Sequence, residues 1–242
     1  MLSIHGLIRG HDLELGRDAD TGGQTKYVVD LAGALARHPE VSQVDLITRR
    51  ILDSSVSPDY GLIREPIGDG ARILRVECGP EEYIPKEQLW DHLDAFTDNL
   101  AAWLSRQPRQ PSVIHGHYAD AGYVGVRLSN LLGIPFIYTG HSLGRDKRKR
   151  LLASGVSAKD IEQTYNIGRR IDAEEEALSN AALVVTSTSN EIEEQYGLYS
   201  YCDHSRMCVM PPGTDLEQFR PYQAGEEIAF REQVERFLDN PD

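Results

Sequence analysis

The stretch "DADTGGQTKYVVDLAGAL" (Asp18–Leu35) places two adjacent glycines directly before an amphipathic segment. From Tyr27 to Arg37, apolar side chains recur at the i, i+3, i+4, i+7 spacing of one helix face, at Val28, Leu31, Ala32 and Leu35. A short apolar run, "LSIHG", precedes the stretch near the N-terminus. The sequence therefore predicts a strand, a long polar loop and a glycine-opened helix in succession.

Apolar, β-branched runs alternate with helical patterns along the rest of the chain. Further strands are predicted at 43–48, 72–77, 112–116, 135–140, 182–188 and 207–211, and further helices at 86–104, 122–132 and 160–180. Ser157 and Asp160 have the spacing of a capping box that opens the last helix. This alternation predicts an α/β fold with a Rossmann-like, doubly wound parallel sheet.

Composition excludes several classes of protein. The 242 residues include 25 basic and 38 acidic side chains, a formal net charge of −13, which argues against a nucleic-acid-binding protein. No apolar run approaches the roughly 20 residues that span a bilayer, and the N-terminus does not have the pattern of a signal peptide. Cys78, Cys202 and Cys208 lack metal-binding spacing, which favours a reduced, cytoplasmic protein.

Residues that follow the strands are the candidates for a binding site, because ligands of open parallel sheets sit at the carboxyl ends of the strands. Gly22 and Gly23 open a helix whose free N–H groups could face an anion or a sugar, although a simple tight turn explains them equally well. His115 and His117 in "HGHYADAG" have no further ligand at a suitable spacing, so we expect no metal site.

A second set of candidates follows the strand "PFIYTG". His141 and Ser142 stand between two glycines in "TGHSLG", where either a substrate contact or an ordinary turn is possible. The run "RDKRKR" (145–150) then places five basic residues in an acidic chain. A solvated helix face, a phosphate clamp that uses Lys147, and an RNA-binding patch are the three interpretations, and the absence of interleaved aromatic residues disfavours RNA.

Further cations occur at Lys86 and in the pair Arg169-Arg170. Arg170 has Glu174 four residues on, so a local ion pair could occupy it and leave Arg169 for a ligand. Lys86 opens a helix, where a cation opposes the dipole unless an anion compensates it. If these cations converge, they suit a phosphorylated, hydroxyl-rich small molecule.

Eight segments taken together resemble the sucrose-phosphate synthases, in order and over nearly the whole chain. The segments are "IHGLIRG", "ELGRDADTGGQTKYVVDLAGAL", "YIPKEQLWDHL", "HGHYADAG", "TGHSLGRDK", "RRIDAEE", "VVTSTSNEIEEQY" and "MPPGTDLEQF". The resemblance implies one half of a two-Rossmann-domain (GT-B) retaining glycosyltransferase. Such enzymes transfer glucose from UDP-glucose to fructose 6-phosphate and give sucrose 6-phosphate.

The resemblance also implies roles for individual residues. It puts His141 beside the transferred glucose as the catalytic residue, acting by positioning and electrostatics rather than as a general base. The implied acceptor-binding residues are Gly22, Gly23 and Gln24 near the reacting groups, Lys86, Tyr118 and Ser142 on the sugar hydroxyls, and Lys147 with Arg169 or Arg170 on the phosphate. No cofactor is expected in this chain; UDP-glucose is the co-substrate, bound mainly by a carboxy-terminal domain.

The resemblance predicts an acceptor domain at 1–222 and an interdomain linker helix at 223–242, with Asp215 and Phe219 as interdomain anchors. The donor domain is expected to be absent, so that the chain is an excised piece or a truncated gene product and is inactive alone. A synthase with another donor, such as GDP-mannose giving mannosylfructose phosphate, and a non-catalytic sugar-phosphate-binding module remain alternatives. We expect neither nucleic acid nor membrane as a partner.

Overall fold

The computed structural model describes residues 1–214, 216, 220 and 221, of which Met1–Pro211 form one compact unit. The strands are β1 Val44–Arg49, β2 Arg64–Gly68, β3 Ala71–Val76, β4 Ile114–His117, β5 Phe136–Thr139, β6 Leu183–Thr186 and β7 Met207–Val209. The helices are α1 Gly23–Ala36, α2 Leu93–Leu104, α3 Tyr118–Leu132, α4 Gly144–Ala153, α5 Ala158–Tyr165, α6 Ile167–Asn180 and α7 Ser189–Glu194. A 3₁₀ helix, Lys86–His92, leads into α2.

The N-terminal segment joins two groups of strands into one sheet. Leu2 bridges Ile47 of β1 on one side and Gly116 of β4 on the other, both in parallel. The strand order is β2-β3-β1, then the segment around Leu2, then β4-β5-β6-β7. β1 to β3 lie on one side of this central segment, and β4 to β7 lie on the other side. The sheet therefore has its topological switch point here, which is where open α/β sheets bind ligands.

Helices cover both faces of the sheet. Along β3, Ile73 packs with α1 whereas its neighbour Leu74 packs in a separate cluster with α2 and α3. Leu46 and Ile47 of β1 divide in the same way. Successive side chains of a strand point to opposite faces, so this division means a doubly wound sheet. The fold class predicted from the sequence is confirmed.

The structure differs from the sequence prediction in local features, and the predicted strand "LSIHG" forms only isolated bridges at Leu2. β2 was not predicted, and it pairs antiparallel with β3 at the sheet edge, where Pro66 and a register shift before Gly68 are tolerated. The helix predicted at 160–180 is two helices, because Asn166 adopts a left-handed conformation with φ of 47°. The capping box of the first is confirmed, since the Asp160 N–H donates to Ser157 Oγ at 3.1 Å.

The C-terminal predictions concern residues that the structure does not describe. Asp215, Phe219 and the linker helix at 223–242 lie outside the described residues, so the boundary after residue 222 stays a prediction. Among the residues that are described, no helix is both long enough and apolar enough to cross a membrane.

Candidate functional site

Three of the predicted cations line a single pocket. Lys86, Lys147 and Arg170 come from the 3₁₀ helix before α2, from α4 and from α6. The other lining residues are Glu87, Trp90, Tyr118, Asp120 and Tyr165. Tyr118 and Asp120 open α3 directly after β4, so the pocket lies at the carboxyl end of the sheet, beside the switch point.

Lys86 is tied to the loop that precedes the twin glycines. Its ammonium forms an ion pair with Asp20, and its backbone N–H donates to the other carboxylate oxygen of Asp20 at 2.8 Å. Burial alone lowers the pKa of Lys86, but the hydrogen bond and the charge of Asp20 outweigh burial and raise it. An anion does compensate Lys86 at this helix start, and it is Asp20, so this ion pair connects the pocket to the loop before α1.

Arg170 is buried and held by Glu174. Its Nε donates to Glu174 at 2.8 Å, while Nη2 donates to the carbonyl and the hydroxyl of Ser142 at 2.7 and 2.9 Å. Its guanidinium also lies 4.5 Å from the ring centre of Tyr118. Burial lowers the pKa of Arg170, but the charge of Glu174 more than compensates and raises it. The local ion pair with Glu174 that the sequence suggested does form. It holds the Arg170 side chain at the pocket and does not draw it away from there.

Arg169 is not brought to the pocket. Its guanidinium donates to Asp91 at 2.6 Å and to the Trp90 carbonyl at 3.0 Å, on an exposed surface. Successive residues of an α-helix point about 100° apart, so only one arginine of the pair can face inward. Of the two alternatives for the phosphate ligand, the structure places Arg170, not Arg169, beside Lys147.

Lys147 is the cation of the pocket that lacks an acidic partner among the described residues. Its ammonium lies 3.6 Å from the ring centre of Tyr165. Burial, together with the charges of Arg170 and Lys86, lowers its pKa. Like charges held close together repel, so an anion bound between Lys147 and Arg170 would relieve this repulsion. Arg148, Lys149 and Arg150 of the same basic run are exposed.

The twin glycines leave the start of α1 uncovered. α1 begins at Gly23, and no side chain caps its N-terminus. A Cβ added to Gly22 or Gly23 would meet no atom within 4 Å, and neither residue has a positive φ. Neither packing nor backbone conformation therefore requires glycine here. Gln24 follows, and its amide donates to Ser3 Oγ at 3.2 Å.

His141 belongs to a cluster of aromatic side chains next to α1. Its Nε2 lies 3.0 Å from Nδ1 of His117, and the ring of Tyr27 makes an edge-to-face type of contact with each of the two rings. His141 has a positive φ of 59°, and Tyr118 has one of 78°. For residues other than glycine such a conformation costs about 1–3 kcal/mol and is concentrated at functional sites.

The buried histidines predict acid sensitivity. Burial lowers the pKa of His115 to about 3 and that of His117 well below its usual 6.5. Below pH 6.5 the unfolded chain therefore binds protons that the folded protein does not. We expect the free energy of unfolding to fall with pH by about 1.4 kcal/mol per pH unit for each histidine.

Urea denaturation between pH 7.5 and 5 measures this slope. His117→Gln is expected to reduce the slope by about one proton. The matched control, His204→Gln, replaces an exposed histidine and should leave the slope unchanged. An unaltered slope in His117→Gln would contradict the prediction.

Sequence reasoning missed His5 and its pairing with a distant carboxylate, and it identified Glu174 only as the local partner of Arg170. His5 and Asp120 form a buried pair, with Nδ1 and Oδ2 2.7 Å apart, and Glu174 is fully buried beneath the pocket. His5 did carry a signal, since it lies at the carboxyl end of the predicted strand "LSIHG", at the edge where ligands bind. Within the described ranges no three potential metal ligands come together, and the expectation of no metal stays a prediction.

Comparison with known proteins places the chain in a family. A model described as "Glycosyl transferase 4-like domain" matches residues 22–213. The chain is 45% identical to sucrose-phosphate synthase 4 of Arabidopsis thaliana and 43% identical to sucrose-phosphate synthase of Zea mays, each over 89% of this chain and 25% of the relative. It thus spans about a quarter of the length of these relatives.

A solved structure shows the same fold. The sucrose-phosphate synthase of Thermosynechococcus elongatus superimposes with a TM-score of 0.67 at 25% identity, over 91% of this chain and 50% of that one. The resemblance inferred from the eight sequence segments is confirmed.

Proposed function

The chain belongs to the glycosyl transferase 4-like domain family, and on that premise we propose that it is the acceptor-binding half of a retaining hexosyltransferase. The reaction is transfer of glucose from UDP-glucose to fructose 6-phosphate, giving sucrose 6-phosphate. The convergence of Lys86, Lys147 and Arg170 on one pocket beside the open start of α1 is the observation that supports this assignment.

The phosphate of the acceptor binds between Lys147 and Arg170. Arg170 is held by Glu174 in a fixed orientation, and a guanidinium suits phosphate oxygens because its donors are planar and paired. Lys147 adds a positive charge that forms no ion pair with an acidic side chain of the described residues. Lys86, Tyr118 and Ser142 bind the sugar hydroxyls.

The sugar then extends toward Gly22 and Gly23. Because no side chain of the described residues caps the start of α1, a ligand can approach the free N–H groups and the positive end of the helix dipole. Gln24 and His141 contact the reacting groups and the transferred glucose, which they orient for attack by the acceptor hydroxyl. UDP-glucose is bound mainly by a second domain of the full-length enzyme, for which the greater length of the relatives leaves room.

The proposal includes a cytoplasmic location without a membrane or nucleic-acid partner. All three cysteines are free thiols, as is usual in a reducing compartment. The net charge of −13 disfavours binding to a phosphate backbone.

Calorimetry with the whole chain tests the proposal. We expect fructose 6-phosphate to bind and free fructose to bind at least tenfold more weakly, because hydrogen bonds to a charged group contribute about 1.5–3 kcal/mol. Equal affinity for the ester and the free sugar would exclude a phosphate site. Adding UDP-glucose to full-length enzyme then tests formation of sucrose 6-phosphate.

Gly23→Ala separates ligand binding from stability. The methyl group meets no protein atom, so we expect the free energy of unfolding to rise by about 0.4–1 kcal/mol through reduced freedom of the unfolded chain. The same methyl group occupies space where the ligand approaches, so binding of fructose 6-phosphate should weaken.

Gly33→Ala provides the matched control within α1. Its added Cβ would make only ordinary contacts, at 3.8 Å from Arg37 and 3.9 Å from Ile67. This variant should gain stability while its affinity for the ester stays unchanged. The prediction fails if Gly23→Ala binds the ester as tightly as the parent protein does.

A further inference from the structure

His5 and Asp120 form a buried hydrogen-bonded pair whose orientation is fixed. Nδ1 of His5 lies 2.7 Å from Oδ2 of Asp120, and the side chains are 6% and 1% exposed. The second oxygen of Asp120 accepts the Ala121 N–H at 2.6 Å, so the carboxylate cannot turn freely. A carboxylate only accepts hydrogen bonds, and therefore the proton of the neutral His5 ring is on Nδ1.

The other ring nitrogen of His5 remains available as an acceptor. Within the described part of the chain no hydrogen bond engages Nε2, and it is not one of the buried side-chain nitrogens that lack a partner there. Nε2 therefore reaches solvent, although the residue as a whole is only 7% exposed. A nearly buried ring with one accessible lone pair can accept a hydrogen bond from a ligand with little loss of side-chain entropy.

The pair adjoins the cation pocket. Asp120 lines that pocket, and the ring of Tyr118 lies between His5 and Arg170. The centre of the Tyr118 ring is 4.6 Å from the centre of the His5 ring and 4.5 Å from the guanidinium carbon of Arg170. Thus His5 lies one aromatic ring away from the proposed phosphate ligand.

The backbone holds His5 at the switch point of the sheet. His5 follows the central N-terminal segment, and the chain turns immediately afterwards at Gly6, where φ is 80°. A Cβ at Gly6 would lie 2.5 Å from the Asp20 carbonyl oxygen, so the turn and the loop of Asp20 pack directly together. Asp20 in turn pairs with Lys86 of the pocket.

We propose that Nε2 of His5 accepts a hydrogen bond from the anomeric hydroxyl of the bound sugar phosphate and orients that hydroxyl, while Asp120 holds the ring. This inference rests on the proposed function. In a furanose 6-phosphate, the anomeric carbon lies across the ring oxygen from the carbon that carries the phosphate arm. With the phosphate on Lys147 and Arg170, the anomeric hydroxyl therefore extends away from the cations, and His5 is a polar group available to receive it.

Nuclear magnetic resonance of the ¹⁵N-labelled chain tests the assignment directly. At pH 7.5 we expect His5 to carry its proton on Nδ1, with its signals identified by their loss in His5→Gln. Fructose 6-phosphate should shift the Nε2 resonance. 2,5-Anhydromannitol 6-phosphate, which lacks the anomeric hydroxyl, should bind without shifting it to the same extent.

Affinities measured by calorimetry provide the second readout. The parent protein is expected to bind fructose 6-phosphate about 3- to 10-fold more tightly than the anhydro ester, the range for one hydrogen bond. In Asp120→Asn, which removes the carboxylate that fixes the ring, this ratio should fall toward one. His204→Gln, a change at an exposed histidine, should keep the ratio.

The outcomes separate the two hypotheses. If both esters bind with equal affinity, or if His5 carries its proton on Nε2, the role of His5 is refuted while the phosphate site stands. If neither ester binds to the parent protein, the proposed function fails and the role of His5 fails with it.

Discussion

Glu174→Ala is expected to lower the free energy of unfolding by about 3–5 kcal/mol, because it leaves a buried charge without its partner. Glu174 is fully buried and accepts hydrogen bonds from the Arg170 guanidinium, from the Gly144 N–H at 2.9 Å and from the Tyr199 hydroxyl. Arg170 is itself only 3% exposed, so the loss of the carboxylate leaves a guanidinium that is largely shielded from water. Urea denaturation at pH 7 measures the loss.

Two further variants show whether the charge or the surrounding packing causes the effect. Glu174→Gln keeps a hydrogen-bond acceptor of similar size and should lose less stability than the alanine variant. Glu176→Ala, two residues along α6, breaks only a half-exposed pair with Arg127 and should cost about 1 kcal/mol or less. A loss below about 1 kcal/mol in Glu174→Ala would contradict the argument.

The loss should extend to ligand binding, since one carboxylate positions both proposed phosphate ligands. Glu174 orients Arg170 directly, and through the Gly144 N–H it anchors the first residue of α4, the helix that carries Lys147. Glu174→Gln, which should remain folded, is therefore expected to weaken binding of fructose 6-phosphate more than binding of fructose.

Lys147→Ala is expected to weaken binding of fructose 6-phosphate by about 1.5–3 kcal/mol, or roughly 10- to 150-fold. The ammonium has no acidic partner among the described residues, so its removal leaves no unpaired carboxylate behind. Its packing on Tyr165 contributes only about 0.5–1 kcal/mol to folding at a partly exposed site. The variant should therefore lose affinity for the ester with little loss of stability.

Lys149→Ala is the matched control, because this lysine belongs to the same helix and the same basic run but is exposed. Its affinity for the ester should equal that of the parent protein. Binding to the parent should also weaken as salt is added, because salt screens the charge interaction. If both lysine variants bind equally well, the phosphate does not lie on Lys147.

Local patterns in the sequence were sufficient for the architecture. Apolar, β-branched runs identified the positions of β1 and β3 to β7, and the apolar spacing of a helix face identified the approximate positions of α1, α2, α3, α5 and α6, because burial on a sheet or a helix imposes these patterns. β2 was not predicted because it is a polar edge strand that contains Pro66. The break at Asn166 was not predicted because the apolar spacing continues across it. Only the left-handed backbone of Asn166 shows that one helix ends and the next begins there.

Some residues of the site could likewise be identified from the sequence, whereas others could not. The sequence alone identified the helix start at Gly22 and Gly23 as a candidate binding site. It also identified Lys86, Lys147 and the arginine pair as candidate ligands of a phosphate. It did not determine that Arg170 rather than Arg169 faces inward, and local spacing even favoured the opposite choice. That choice depends on Asp91, 78 residues away in the chain, which binds Arg169 on the surface.

The sequence by itself thus determined the fold class, the family and most of the chemical groups available for a sugar phosphate. Only the tertiary structure decided which groups act together: Asp20 with Lys86, 66 residues apart, and His5 with Asp120, 115 residues apart. The reason is physical. Helix and strand periods are set by neighbours within a few residues, whereas a binding site is assembled where the sheet brings distant loops to its carboxyl edge, and no local pattern records that distance.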